Sequence, residues 1–554
     1  QFLLPLALAV AVSPVAVFGV IRMTLAAPVS MAPDWGFLTG WFVGLLGVVS
    51  LASAVAALLT GSLTGRAYYV VGGLLFLALG RDSARWNLLV GLVWGLAFFV
   101  PHLFWTSIVV GPAVSLALPL LEAAFVALFG AAWSWARRGA VIWRSPAFQV
   151  LGFALVWVAL EEARSAAPFG GFPWGRLAFS QADSPLLRLA WLGGVPLLSG
   201  VVAAIGALLA VALLSARRVL VLRTLVSLGT VGALLAIGLL MPVGTRAEAG
   251  TLHVAAVQGN VDEHEEDPYV RQSRVVDNHA AETMTLLEQV EPGELDVVLW
   301  PENVTATDLR EDERSAAVVE QAAQALGAPI LLGTIEYPST STRFNTTVLW
   351  EPGTGITQTY RKQRPAPFSE YIPMRELARR VTPLVDNVSH DMIAGSEPGL
   401  VTVTSDALGR EVPIAVGICF EVAYDWVVRD GVRAGGELLV IQTNNSTFGY
   451  SDESLQQLAM SRVRAVETGR TTIQISTVGV SALIAPHGAV SNLTELWTAD
   501  SFVARVPLRT SITPAVRFGQ QLVWAVSALG GLVVASGAAG AWRMRAASRG
   551  RMLA

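Results

Sequence analysis

Apolar residues are distributed along this chain in two ways. Up to about residue 245 they form helix-length blocks with few charges. From 246 to 515 they form short runs separated by polar turns. One more long block follows, ending among Arg543, Arg545, Arg549 and Arg551. A helix needs about 20 mostly apolar residues to cross a bilayer. Blocks of that kind lie at 2–21, 38–60, 68–80, 87–108, 113–136, 147–163, 189–214, 219–241 and 521–542, the block at 68–80 being short. The pattern predicts a multi-span α-helical membrane domain over 1–245, with seven to eight spans. A polar domain over 246–518, a C-terminal transmembrane helix over 519–543 and a basic tail over 544–554 complete the chain.

The arginines orient these spans. Arg81 and Arg85 share one short loop, Arg137, Arg138 and Arg144 another, and Arg217, Arg218 and Arg223 a third. Basic loops stay in the cytoplasm, so the alternate loops 61–67, 109–112 and 164–188 fall outside. The span 219–241 then runs outward and makes the polar domain extracytoplasmic. Loop 164–188 carries Gly170-Gly171-Phe172-Pro173-Trp174-Gly175. Trp174 has two readings there, an aromatic anchor at the lipid interface or part of a lipid-access groove.

Within the polar domain, strand-like runs lie at 252–258, 296–300, 330–335, 346–350, 412–418, 438–442 and 472–477. Helical spacing marks 270–290, 311–326 and 452–470. Pro352-Gly353-Thr354-Gly355 reads as a hairpin turn leading into 356–360. Strands alternating with helices argue for α/β layers.

Composition agrees with a membrane protein. The chain of 554 residues is 53% hydrophobic and 14% charged, against about 25% charged in soluble proteins. A net charge of −4 gives no basis for nucleic-acid binding. The single cysteine, Cys419, excludes an intramolecular disulfide, a multi-cysteine zinc site and an iron–sulfur cluster. The acidic run 262–267 reads as a solvated loop, and no metal or organic cofactor is expected.

Three residues stand where strands end. Glu302 follows the strand at 296–300, Lys362 follows the hairpin, and Cys419 follows the buried run 413–418. Singly, each has an ordinary reading: a solvated carboxylate, a surface ammonium, a small core thiol. Together they supply a general base, an oxyanion-stabilising cation and a nucleophile. They occur in that order, about sixty residues apart each time.

In this order, and in the motifs Trp300-Pro301-Glu302, Tyr360-Arg361-Lys362 and Gly417-Ile418-Cys419-Phe420-Glu421, the region 251–510 resembles the nitrilase, or carbon–nitrogen hydrolase, superfamily. The resemblance implies an αββα sandwich with a Glu-Lys-Cys triad. Asn444, Phe448-Gly449 and the run from Arg462 to Arg470 also match that superfamily. A nitrilase-like domain set between membrane spans resembles more narrowly the apolipoprotein N-acyltransferase family. Gly171-Phe172-Pro173-Trp174 and the segment from Lys362 to Pro373 match that pattern, the latter through Pro367-Phe368-Ser369-Glu370-Tyr371. The match implies supporting or substrate-contacting roles for Glu370, Glu421, Phe420, Asn444, Trp174 and Tyr371. Asn445 and Thr447 stand where the family has Asp and Trp, Ser369 where it has Gly, and Phe420 where it has Tyr. The family has eight spans, against nine candidates here.

The resemblance implies a multi-pass enzyme of the bacterial inner membrane. It would move a fatty acyl group from a phospholipid, through a Cys419 thioester, to the N-terminal amine of a diacylglyceryl-cysteine lipoprotein. Segment 366–395, with Phe368, Tyr371, Ile372, Met374 and Leu377, reads either as a membrane-touching lid or as a plain surface loop. Rival readings are a membrane-anchored amidase and a scaffold for a polyprenol-linked glycosyltransferase. A transporter is disfavoured because the spans carry few paired charges, and Glu161 and Glu162 are expected at the outer edge of their span.

Overall fold

The computed structural model describes residues 66–261 and 268–553. The predicted spans 2–21 and 38–60 and the acidic run 262–267 lie outside the described residues. The first helices are α1 (Arg66–Ala78), α2 (Ala84–His102), α3 (Ala117–Ala136), α4 (Pro146–Ala166), α5 (Ala190–Arg217) and α6 (Val221–Leu240). Six helices among the described residues are long and apolar enough to cross a membrane: α2 to α6 and the final helix, Pro514–Leu553. The protein is a multi-pass membrane protein. Small residues let its helices approach closely; a Cβ at Gly91 or Gly95 of α2 would overlap the backbone of α3 at Val126 or Ala123. Helix α6 fully buries Ser227 and Gly238, packs Val231, Leu234 and Leu235 against the core, and leaves most of its other apolar residues outward.

The remainder forms two sheets. The first has the order β13-β1-β2-β3-β4-β5: Asp500–Pro507, Thr251–Gln258, Val297–Leu299, Ile330–Glu336, Thr342–Glu351 and Gly355–Arg361. A two-residue strand, β6 (Asp391–Met392), pairs with β4. The second has the order β12-β11-β10-β9-β8-β7: Val490–Ser491, Ala482–Ile484, Thr472–Ser476, Leu438–Thr443, Arg410–Ile418 and Leu400–Ser405. Alternate residues of each strand face opposite ways, so each sheet has two apolar faces to cover. Val254, Leu299 and Leu331 of the first sheet meet Ile414, Val440 and Ile473 of the second. The first sheet's other face is covered by helices α7 (Pro268–Thr285) and α8 (Glu313–Leu326), through Val275, Val319 and Leu326. The second sheet's other face is covered by α9 (Asp425–Arg433) and α10 (Glu453–Thr468). These are the four layers of an αββα sandwich. Helix α8 shows the local logic: Asp312 caps its first turn by accepting from Ser315 N at 3.0 Å, and Gly327 ends it at φ 59°.

The outer layer of the second sheet is not solvated. Val427, Val463 and Val466 share one core with Leu186, Val195 and Leu198 of the membrane half. Buried charges lie at the same junction. Arg176 reaches Glu161 and Asp425 at 3.3 and 3.2 Å and also pairs with Glu162. Arg429 pairs with Glu467 at 2.5 Å, and Arg464 pairs with Asp425 at 2.9 Å and with Glu467. Helix α5 kinks at Gly194, at φ 65°, where a Cβ would strike Glu467 and Arg429. The expectation of few paired charges in the spans missed one pair: Glu122 of α3 and Arg164 of α4 meet at 2.5 Å, both buried. Glu161, in the last turns of α4, is buried.

Candidate active site

The geometry begins with three strand ends. Strand β2 delivers Glu302, β5 delivers Lys362, and β8 delivers Cys419. Cys419 has φ 50°, a left-handed conformation that costs a non-glycine residue about 1–3 kcal/mol. It opens a tight turn, Cys419–Ala423, that breaks the strand and leaves the thiol half-buried. Glu421 holds this turn. Its carboxylate accepts from Ile418 N at 2.8 Å, Gln363 N at 2.6 Å, Arg364 N at 3.1 Å and Tyr360 Oη at 2.8 Å. One buried side chain thus ties the nucleophile turn to the chain that carries Lys362. Burial pushes the Glu421 carboxyl upward, against these bonds, which favour its ionised form.

Glu302 and Lys362 are both buried. Lys362 Nζ lies 3.3 Å from Glu302 Oε1 and 2.7 Å from Glu370 Oε1. Glu302 also accepts from Asn345 Nδ2 at 2.6 Å and from Asn444 N at 2.8 Å. Burial raises the Glu302 carboxyl and the Glu370 charge raises it further, while Lys362 opposes both. A carboxylate raised in this way is better matched to take a proton near neutral pH. Burial alone would depress Lys362, but Glu370, Glu302 and the Cys419 thiolate hold it above its ordinary value. Burial and the Glu302 charge push the Cys419 thiol well up, and Lys362 counteracts them. The charges of Glu302, Lys362 and Cys419 each bear on the others, so the three groups form one electrostatic unit.

The structure brings the other sequence-selected residues around this unit at different distances. Glu370 bonds Lys362 directly and accepts from Ala366 N at 2.6 Å. Asn444 contributes its backbone N–H, while its side chain bonds Ser446. Phe420 clusters with Phe172 and Trp174, its ring centroid 5.4 and 6.2 Å from theirs. Trp174 is buried, and its indole N–H donates to Gln456 at 2.6 Å. Burial rules out the reading of Trp174 as an anchor facing lipid; its ring packs against Trp105 of the membrane half and Phe420 of the Cys419 turn. Tyr371 is half-buried, its hydroxyl 3.4 Å from Phe169 O. Segment 366–395 has two short helical turns, Arg375–Arg379 and Pro383–Asn387, and exposes Phe368, Met374, Leu377 and Val381.

Sequence reasoning missed Asn345, Glu453 and Arg364. Asn345 had one signal, a polar run Asn345-Thr346-Thr347 inside a strand, all three buried. Glu453 lies buried beside Asn445, whose Nδ2 donates to it at 2.6 Å, and its charge bears on Cys419. No group of three or more His, Cys, Asp or Glu side chains among the described residues is arranged to hold a metal ion.

The two halves of the chain match two family profiles. The profile described as apolipoprotein N-acyltransferase N-terminal domain matches residues 53–208, and that of carbon-nitrogen hydrolase matches residues 253–513. The apolipoprotein N-acyltransferase of Mycolicibacterium smegmatis is 36% identical over 467 residues, covering 80% of this chain and 76% of that protein. The protein of the same name from Azotobacter vinelandii is 31% identical over 479 residues, 83% of this chain and 87% of that protein. Among solved structures, an amidase from Nesterenkonia sp. superposes with a TM-score of 0.35 at 14% identity, over 51% of this chain and 99% of that one.

Proposed function

The chain belongs to the apolipoprotein N-acyltransferase family, and from that premise we propose that Glu302, Lys362 and Cys419 carry a fatty acyl group from a membrane phospholipid to a lipoprotein. The acceptor is the N-terminal amine of a diacylglyceryl-modified cysteine. Glu302 takes the Cys419 proton, and the thiolate attacks a phospholipid ester carbonyl. Lys362 stabilises the oxyanion. The ester C–O bond breaks, the leaving glyceryl oxygen takes the proton from Glu302, and lysophospholipid departs from a Cys419 thioester. The acceptor amine then attacks the thioester carbonyl. Glu302 receives its proton, the C–S bond breaks, and the amide product leaves. Glu370 holds Lys362 charged and in place throughout. One nucleophile serving two substrates in turn implies ping-pong kinetics.

The observation that carries this reading is the meeting of a buried ammonium, two carboxylates and a strained cysteine turn at three strand ends. The membrane half supports it energetically. Drawing a sixteen-carbon acyl chain into water costs roughly 12 kcal/mol, at about 0.8 kcal/mol per CH₂. A site packed on membrane helices lets the tails stay in lipid. The catalytic sandwich lies on the extracytoplasmic side of the bacterial inner membrane in this proposal, in line with the arginine-bearing loops at the other ends of the helices.

The test is the intact mass of the purified protein after incubation with phospholipid, beside Cys419→Ala. A hydroxylamine-labile gain of one acyl chain is expected in the native protein alone, and a diacylglyceryl lipopeptide should remove it. A folded protein whose Cys419 still reacts with thiol reagents, yet gains no acyl mass from any bilayer phospholipid, would overturn the proposal.

A further inference from the structure

Arg364 stands two residues beyond Lys362, on the stretch that leads from the catalytic lysine into segment 366–395. Its backbone N–H is fixed to Glu421 at 3.1 Å. Its guanidinium lies over two rings, 5.4 Å from the centroid of Tyr424 and 4.9 Å from that of Trp426. Gly170 of the opposing loop leaves space for it: a Cβ there would come within 2.8 Å of Nη1.

The charge balance around this residue is unusual for the region. Arg164, Arg176, Arg429 and Arg464 at the junction are each paired with a carboxylate. Arg364 has no carboxylate partner among the described residues, and its Nε is buried with no acceptor. Glu421, the buried acid that holds the Arg364 backbone N–H, is already committed to backbone N–H groups and Tyr360. A guanidinium seated on aromatic rings presents its donors in a planar fork, which suits a phosphate better than a point charge does.

Position supplies the rest. Two residues of chain span at most about 7 Å, so Arg364 stays within that reach of the Lys362 backbone. In a glycerophospholipid, an ester carbonyl and the phosphate are separated by one glycerol unit. Next to Gly170, the ring of Phe169 meets that of Phe368 at 5.7 Å; both are substantially exposed and form an apolar lip.

We propose that Arg364 binds the phosphodiester of the donor phospholipid and so presents its ester carbonyl to Cys419. This rests on the phospholipid-donor reading above and adds the residue that recognises the headgroup. The site is selective for a phosphate held in a lipid, because the acyl tails at the lip and the ester at Cys419 fix the phosphate between them.

The experiment compares acylation of Cys419 by a phospholipid in mixed micelles with acylation by the p-nitrophenyl ester of the same fatty acid, which has no phosphate. Native protein, Arg364→Gln and Arg364→Lys are followed by intact mass. Losing a charge-assisted hydrogen bond is expected to slow Arg364→Gln about 10- to 100-fold on phospholipid. Its rate on the neutral ester should stay within about 3-fold of native, which also shows that the variant is folded. Arg364→Lys should recover part of the phospholipid rate, because it keeps the charge and loses the fork. An equal loss on both donors, or no loss on phospholipid, would overturn the assignment. Slowing of the neutral ester by millimolar inorganic phosphate, in the native protein and not in Arg364→Gln, would reveal a free-anion site and overturn it too. Absence of any phospholipid adduct in the native protein is a separate outcome, and it removes the donor reading itself.

Discussion

At the scale of single residues, the site is a set of charges held out of water and made usable by their neighbours. Glu302, Glu370 and Lys362 share one contact, with Lys362 cationic between two carboxylates. Glu453 adds a third acid nearby. Burial pushes its carboxyl up to about 8, the Glu302 charge adds to this, and the bond from Asn445 opposes it. From its ordinary 4.5 to about 8 the folded protein therefore binds more protons here than the unfolded chain. The resulting stability is fully present below about 4.5 and is lost as pH rises through 8. Gln at this position keeps an acceptor for Asn445 and carries no charge. Glu453→Gln should gain stability over the native protein as pH is raised from 5 to 8, by up to about 1.4 kcal/mol per pH unit. Melting temperatures in detergent at the two pH values check this; an unchanged difference between the proteins would show that Glu453 does not titrate in that window.

At the scale of elements, strand ends aim the chemistry. Glu302 is seated by β3, which passes behind it with Gly333, whose N–H donates to Pro301 O at 2.9 Å. A Cβ at Gly333 would lie 2.5 Å from Asn303 N and 2.7 Å from Glu302 Cα, both backbone atoms that yield little. Misplacing a catalytic group by about 1 Å costs on the order of 100-fold in rate. Gly333→Ala should therefore slow acyl-enzyme formation by about that factor, with overpacking of about 1–3 kcal/mol visible in thermal unfolding. A native acylation rate would show that Glu302 does not need this seat. The turn after β8 depends on α10 in the same way. Arg464 donates to Val422 O at 2.7 Å and Ala423 O at 2.8 Å while holding Asp425 and Glu467. Removing one partner of a buried ionic cluster costs about 3–5 kcal/mol. Arg464→Met should lower stability by that amount, as read by denaturant unfolding of the detergent-solubilised protein.

At the scale of the whole molecule, the sandwich and the membrane helices act as one body, because the second sheet's helical layer is buried on the membrane half. The orientation of that body has a direct test. In a Cys419→Ala background, a membrane-impermeant maleimide should label Ser339→Cys on the sandwich in intact spheroplasts. It should label Arg218→Cys, between α5 and α6, only after permeabilisation. The reverse pattern would place the sandwich in the cytoplasm.

The membrane half, the alternation of strands and helices, and the order in which Glu302, Lys362 and Cys419 reach strand ends are all legible in the amino-acid sequence. These are written in local hydrophobic period and length, which neighbouring residues alone set. The sequence was silent on the edge strand Asp500–Pro507, which pairs only with β1 and is too polar along its length to read as buried. It was silent too on α9, whose buried Asp425 and Arg429 look like surface charge until their partners are known. The roles of Asn345, Glu453 and Arg364 were decided only by tertiary structure. Each depends on what lies across from it, a carboxylate 43 residues away for Asn345 or two aromatic rings about sixty residues on for Arg364. A polar side chain's meaning is its partner, and only the folded chain chooses the partner.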